Sequence, residues 1–170
     1  MGLVKIFYKF RHPGVQEDYI PARYNISFWV AIKKTIRKWF SAVLIPTIPF
    51  NGFRVWCYKL AGYKIGKDCF IGMRCYLDDL CYDKIIIGNN VTISYGVYFA
   101  CHGRKQNHNK IIIEDGAYIG MRASIIAPKG DVVIGKRAIV GAQTLVNKSI
   151  PDKRYAVGIP CRTLEKIVDD

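Results

Sequence analysis

Two of the chain's three histidines, His102 and His108, fall inside one polar stretch, His102–Lys110 (HGRKQNHNK), directly after an apolar strand-like run. A neutral imidazole titrates near working pH. A histidine leading such a loop therefore suits general acid–base work: it takes a proton as an oxygen attacks and returns it to a leaving group. His102 comes first after the strand, His108 competes from deeper in the loop, and His12 lies far from both in the sequence. Cys101, next to His102, raises a nucleophilic reading, because thiolates attack acyl centres readily. Neighbours on a strand point to opposite faces, so Cys101 and His102 are expected to diverge. A carboxylate often orients a catalytic histidine. Asp78, Asp79 and Asp83 are near in sequence, and nothing in the sequence selects among them.

Metal chemistry finds less support. Cys69, Cys75 and Cys81 look like a ligand trio, but Cx5Cx5C is not a zinc spacing, and none of the six cysteines forms a CxxC pair. An open zinc site of the three-histidine kind needs a third imidazole that residues 65–150 do not supply. No metal is expected, and the cysteines read as free thiols of a cytosolic chain.

The elements that position His102 follow from a period of six. Apolar anchors recur at Ile65, Ile71 and Leu77, at Ile87, Ile93 and Phe99, at Ile113, Ile119 and Ile125, and at Ile134, Val140 and Val146. Glycine often follows the anchor, as at Gly66, Gly72, Gly88, Gly120, Gly135 and Gly141. Four places after most anchors stands a small or β-branched residue such as Cys75, Val97, Ala123 or Thr144. Each hexapeptide reads as one short strand and a turn, with the anchor inside, the glycine at a tight corner where φ can be positive, and the small residue where the interior narrows. Three hexapeptides close one triangular coil. A single coil cannot bury its own face, so several must stack. The anchors give four coils, and the fold class predicted is an all-β parallel β-helix. A period-2 β-sandwich would not place Gly after Ile at every sixth residue.

Breaks in a repeat map to loops. From Phe99 to Ile113 the spacing is fourteen residues instead of six, and His102 opens the insertion. A smaller break, with Pro128-Lys129-Gly130, separates Ile125 from Ile134.

Charge divides the chain differently. Residues 1–64 carry 11 Lys/Arg against 2 Asp/Glu, whereas residues 65–170 carry 15 against 11. The sequence is thus expected to divide into a basic helical segment (1–64), the repeat (65–150) and a C-terminal turn with a short helix (151–170). In residues 26–40, ISFWVAIKKTIRKWF, Ile26, Trp29, Ile32, Ile36, Trp39 and Phe40 recur at helical spacing, while Lys33, Lys34, Arg37 and Lys38 face elsewhere. Such a helix can cap the end of a β-helix, rest in a membrane interface, or do both. No nucleic-acid-binding pattern accompanies the basic charge. The start, MGLVKIFYKF, has no signal-peptide core, and the longest apolar run, Ala42–Phe50, is too short to span a bilayer. A cytoplasmic location is expected, with peripheral attachment to the inner face of a membrane as an open option.

The ordered run NNVTISYGVYFACHG, KIIIEDGAYIGMRASIIAPKG, IGKRAIVGAQTLVNKSIP and VGIPCR resembles the hexapeptide-repeat acetyltransferases, in particular the maltose/galactoside and the capsule/exopolysaccharide O-acetyltransferases. The likeness covers residues 46–166. It implies a left-handed coil, a homotrimer, and acetyl-CoA as co-substrate in a groove between neighbouring coils. The activity implied is transfer of acetyl to a hydroxyl of a sugar or polysaccharide precursor. N-acetylation of an amino sugar and a non-catalytic repeat scaffold are the alternatives. His102 matches the family's catalytic base. Met121, Ala142, Asn147, Lys148 and Arg162 match its acetyl-CoA contacts, with Met121 and Asn147 departing from the usual small or hydroxyl residues. Asp79 matches an acidic residue that binds the acceptor.

Overall fold

The computed structural model describes residues 3–16, 27–103 and 108–167. The chain divides into two compact units, Met1–Trp39 and Phe40–Asp170. The first holds helices α1 (Leu3–Arg11) and α2 (Phe28–Trp39), so of the stretch 26–40 read as helical, Phe28–Trp39 forms the helix and Phe40 opens the next turn; Ile26 lies outside the described residues.

The second unit opens with a π-turn at Phe40–Leu44, a single turn α3 (Ile45–Thr47) and helix α4 (Asn51–Leu60), and then enters the repeat. Among the described residues, twelve short strands build a triangular prism. One face stacks β1 (Lys64–Ile65), β3 (Ile85–Ile87), β6 (Ile111–Ile113) and β9 (Val132–Ile134). The second stacks β2 (Phe70–Ile71), β4 (Thr92–Ile93), β7 (Tyr118–Ile119), β10 (Ile139–Val140) and β12 (Arg154–Val157). The third stacks β5 (Tyr98–Ala100), β8 (Ser124–Ile126) and β11 (Leu145–Val146), continued by a bridge from Tyr76 to Tyr98. All these pairings are parallel.

The register confirms the anchors as the core. Ile65 pairs with Ile87, Ile87 with Ile113 and Ile113 with Ile134. Ile71, Ile93, Ile119 and Val140 form a second ladder, and Phe99, Ile125 and Val146 a third. Apart from half-buried Ile65, every anchor is buried, as are the small residues four places on. Each buried aliphatic side chain contributes roughly 1.5–3 kcal/mol over exposure, so the ladders form one continuous core along the prism axis.

The corners work differently from the sequence expectation. Positive φ falls three places after the anchor, at Asp68, Arg74, Asn90, Arg122, Arg137, Gln143 and Lys153 (52° to 56°) and at Gly96 and Gly116. The glycines directly after the anchors serve close approach instead. A Cβ on Gly72 would stand 2.6 Å from the Ser94 carbonyl carbon, and one on Gly120 would stand 2.5 Å from the Ala142 nitrogen. Backbone of the next coil occupies the space a side chain would need.

Helix α4 closes the open end of the first coil. Asn51 acts as a substitute strand: its Nδ2 donates to the Cys69 carbonyl (3.1 Å) and its Oδ1 accepts the Ile71 N–H (3.0 Å). Buried Arg54 donates through Nε to the Ile71 carbonyl (2.7 Å) and through Nη1 to the Ile48 carbonyl. Edge groups that would invite another strand are thereby satisfied. The far end corrects a sequence expectation. Instead of a short C-terminal helix, residues Arg162–Ile167 form β13, which pairs antiparallel with β12. The exposed edge of the last coil offers unpaired backbone groups, and a returning strand satisfies them where a helix would not.

Candidate active site

All of the irregular spacings in the repeat fall on one edge of the prism, the corner between the third face and the first. In the first coil, ten residues separate Leu77 from Ile87, and the excess forms a 3-10 turn at Tyr82–Lys84. The His102 loop occupies the same corner in the second coil, Pro128–Gly130 in the third, and Asn147–Lys148 in the fourth.

His102 leaves the end of β5 with its side chain 31% exposed, while Cys101 is fully buried. The two diverge as strand alternation requires. Burial and the nearby Asp78 carboxylate push the Cys101 thiol well above its ordinary range, which leaves it protonated and poorly nucleophilic. Beneath His102 lies Asp78, itself buried. Its Oδ2 stands 3.6 Å from His102 Nε2 and accepts the Cys101 N–H at 2.9 Å; its Oδ1 accepts the Leu80 N–H at 3.1 Å. Two backbone donors thus stabilise a carboxylate away from water and aim it at the imidazole. The sequence alone leaves Asp78, Asp79 and Asp83 equally open as partners of His102. The ten-residue spacing after Leu77 was the signal that could have singled out this corner.

His108 faces the same floor. Its Nδ1 lies 2.8 Å from the Cys81 Sγ, and its ring stands perpendicular to that of His102 with centroids 6.4 Å apart. Burial, reinforced by Asp78, raises the Cys81 thiol to about 11. The loop is closed at its base, where the Asn109 N–H donates to the Cys101 carbonyl at 2.7 Å. Asn109 Nδ2 also reaches the Ala127 carbonyl at 2.7 Å in the next coil. Residues 104–107 lie outside the described residues.

The remaining candidates separate into groups. Asn147 and Lys148 are exposed on the His102 edge, two coils along. Met121 and Ala142 are exposed on a different edge, between the second and third faces, one above the other in successive coils. Arg162 is exposed at the start of β13. Asp79 is buried, and its Oδ1 accepts the Tyr76 hydroxyl at 2.7 Å, with the Tyr76 ring stacked on Tyr98 at 4.7 Å. Among the described residues no group of His, Cys, Asp and Glu is arranged to hold a metal ion.

Comparison with known proteins shows what the chain is similar to. The profile described as "Hexapeptide repeat of succinyl-transferase" matches residues 63–99 and 110–148, stopping on either side of the His102 loop. A Bacillus subtilis (strain 168) protein, YvoF, named as an acetyltransferase, is 28% identical over 139 residues, 79% of each chain. The serine acetyltransferase of Bacillus licheniformis is 34% identical over 105 residues, 61% of this chain and 45% of that enzyme, so the chain spans less than half of that relative. Among solved structures, the hexapeptide-repeat acetyltransferase VCA0836 of Vibrio cholerae, complexed with acetyl coenzyme A, superposes with a TM-score of 0.65 at 20% identity, covering 85% of this chain and 92% of that one. A maltose O-acetyltransferase of Clostridium difficile 630 gives a TM-score of 0.64 at 22% identity, covering 83% and 89%. With every coil in register and the profile matching on both sides of the inserted loop, residues 63–99 and 110–148 are hexapeptide repeats similar to those of the acetyltransferases named above.

Proposed function

We propose that the chain is an acetyltransferase that moves acetyl from acetyl-CoA to a hydroxyl of a sugar or polysaccharide precursor, with His102 as general base. The observation that carries this reading is the pairing of half-exposed His102 with buried Asp78 at the one corner where the repeat is interrupted. In this mechanism the neutral imidazole accepts the acceptor's hydroxyl proton as the oxygen attacks the thioester carbonyl. The tetrahedral adduct collapses by breaking the carbon–sulfur bond. The departing CoA thiolate takes the proton back from His102, so the base is regenerated and the products are the acetyl ester and CoA. Asp78 is a positioning residue: it holds the ring and favours its transient positive charge. Cys101 takes no part.

The co-substrate assignment rests on exposed residues that match the family's contacts. Lys148 and Arg162 offer cations to the phosphates, and Met121, Ala142 and Asn147 line exposed corners. These residues occupy two different edges of one chain. A homotrimer, in which one subunit's edge meets another's, fits that division. Asp79 is buried against Tyr76, so it serves the acceptor side by holding that phenol rather than by direct contact. Residues 26–40 add a peripheral membrane contact on the cytoplasmic side, where acetyl-CoA is made.

A second reading takes the hydroxyl of a small amino acid as acceptor, supported by the identity to the serine acetyltransferase. Free-thiol release from acetyl-CoA, followed with a panel of sugars, amino sugars and hydroxy amino acids, separates the readings. Turnover only with sugar hydroxyls supports the first, turnover with serine the second, and acylation of amines alone the N-acetyl alternative. In that assay His102→Ala is expected to lose roughly 10²–10⁴ in turnover, and His108→Ala less. Full activity in both would remove the base assignment.

A further inference from the structure

His108 is held in a different way from His102. A carboxylate oxygen of Asp78 faces His102 Nε2 at 3.6 Å, whereas the neighbour of His108 Nδ1 is the buried Cys81 Sγ at 2.8 Å. Burial keeps the Cys81 thiol protonated at neutral pH. Its sulfur already serves Cys101. The side-chain hydrogen bond between the two thiols raises Cys101 and lowers Cys81, as it does when Cys101 donates and Cys81 accepts. The Cys81 S–H is then the donor toward His108, and Nδ1 is the acceptor. A neutral imidazole that accepts at Nδ1 carries its proton on Nε2. With Nδ1 over the buried thiol, Nε2–H on the far side of the ring turns outward, and His108 is exposed. A neutral thiol fixes the tautomer without lending a charge, which suits a hydrogen-bond donor rather than a base.

The backbone beside the ring is tied down. Asn109 donates its N–H to the Cys101 carbonyl and its Nδ2 to the Ala127 carbonyl, each at 2.7 Å. The His108 ring stands perpendicular to that of His102 with centroids 6.4 Å apart, which leaves room for one reacting centre within hydrogen-bond reach of both.

We propose that His108 is a second catalytic residue, whose Nε2–H donates to the thioester carbonyl oxygen as negative charge develops there, and that Cys81 is the positioning residue that fixes its tautomer. The proposal rests on the acetyltransferase reading above and assigns the donor for the oxyanion, whichever acceptor is used. As the acceptor oxygen bonds to the carbonyl carbon, the carbon–oxygen π pair moves onto the carbonyl oxygen and His102 takes the hydroxyl proton. His108 keeps its own proton and strengthens its hydrogen bond to the charged oxygen. On collapse the pair returns, the carbon–sulfur bond breaks, and the CoA thiolate takes the proton from His102. The two imidazoles divide the work: His102 moves the proton and His108 steadies the charge.

The test follows thiol release from acetyl-CoA by the full chain, with maltose, glucosamine and serine as acceptors. With whichever of these turns over, His108→Ala is expected to lose on the order of 10² in kcat and to leave both KM values near wild type. His108→Gln puts an amide N–H near the place of Nε2 and should run about tenfold faster than His108→Ala. The acid limb of the kcat–pH profile should persist in both variants, because the base is His102. Cys81→Ser keeps a hydroxyl donor for Nδ1 and should retain most of the rate, while Cys81→Ala falls toward the level of His108→Ala. A raised acceptor KM at unchanged kcat in His108→Ala would make His108 an acceptor-binding residue and overturn the proposal. Loss of the acid limb in that variant would make His108 the base, with the same consequence. Full turnover in His108→Ala while His102→Ala is inactive would sink the proposal and leave the acetyltransferase reading standing. No thiol release by the wild-type chain with any of the three acceptors would remove that reading, and this proposal with it.

Discussion

Asp78 Oδ2 accepts the backbone N–H of Cys101 at 2.9 Å and stands 3.6 Å from Nε2 of His102, so one buried oxygen fixes the strand end and faces the ring that follows it. In the proposed mechanism, stability and activity are coupled through that oxygen. Asp78→Ala would leave the Cys101 and Leu80 N–H groups without their acceptors, at a cost of about 1–3 kcal/mol for each buried group left unpaired. Asp78→Asn retains one acceptor oxygen and removes the charge. The amide NH2 of Asp78→Asn cannot accept, so one of the two backbone N–H groups loses its partner: the melting temperature should fall in Asp78→Asn and fall further in Asp78→Ala, with turnover clearly reduced in both. Denaturant melts and thiol-release rates on the two variants check this. Wild-type turnover in Asp78→Asn would strip Asp78 of its positioning role.

The corner geometry makes a paired prediction about backbone. Gly120 and Arg122 sit on the same turn, yet they are expected to answer substitution in opposite directions. Gly120→Ala forces a Cβ to within 2.5 Å of the Ala142 nitrogen in the next coil, and backbone cannot yield there. A loss of about 1–3 kcal/mol is expected from such overpacking. Arg122 holds φ 56°, a conformation that costs a residue with a Cβ roughly 1–2 kcal/mol. Arg122→Gly should be neutral or stabilising in the same melts.

The Cys81 thiol gives a pH dependence of known sign. Its value rises from 9.0 to about 11 in the folded chain, through burial first and the Asp78 charge second. Between those values the unfolded chain releases this proton and the native chain keeps it, so stability must fall as pH rises through that window. Cys81→Ser removes the titrating thiol. The wild-type minus Cys81→Ser difference in unfolding free energy should therefore decline from pH 9 toward pH 11 and be flat below pH 8. A difference that does not change with pH would contradict the described burial.

How much of this could be read from residues alone follows from which constraints are local. The interior of a coil admits one side-chain size at each sixth residue, so the twelve anchors announced themselves and all stack in register. Positive-φ corners did not, because they lie outside the prism, where Asp68, Arg74, Gln143 and Lys153 are equally tolerated. The histidine loop was visible as a gap in the period. Its carboxylate partner was not, because Asp78 and His102 are brought together by the stacking of two coils, across 24 residues of sequence. The ten-residue interval from Leu77 to Ile87 is the local trace of that corner. Arg162–Ile167 is short and mixed in pattern, and it becomes a strand only because β12 offers it an edge. The substitute-strand role of Asn51 likewise has meaning only once β2 has an open side to satisfy.

The most direct test of the central claim needs no knowledge of the acceptor: thermal unfolding of the chain with and without saturating acetyl-CoA. A ligand held at about 100 times its dissociation constant stabilises the native state by roughly 2.7 kcal/mol, which appears as a clear rise in melting temperature. The account predicts that rise with acetyl-CoA and its absence with free acetate. No rise at millimolar acetyl-CoA would contradict it, and would leave the repeat as a scaffold or as the carrier of a different acyl donor.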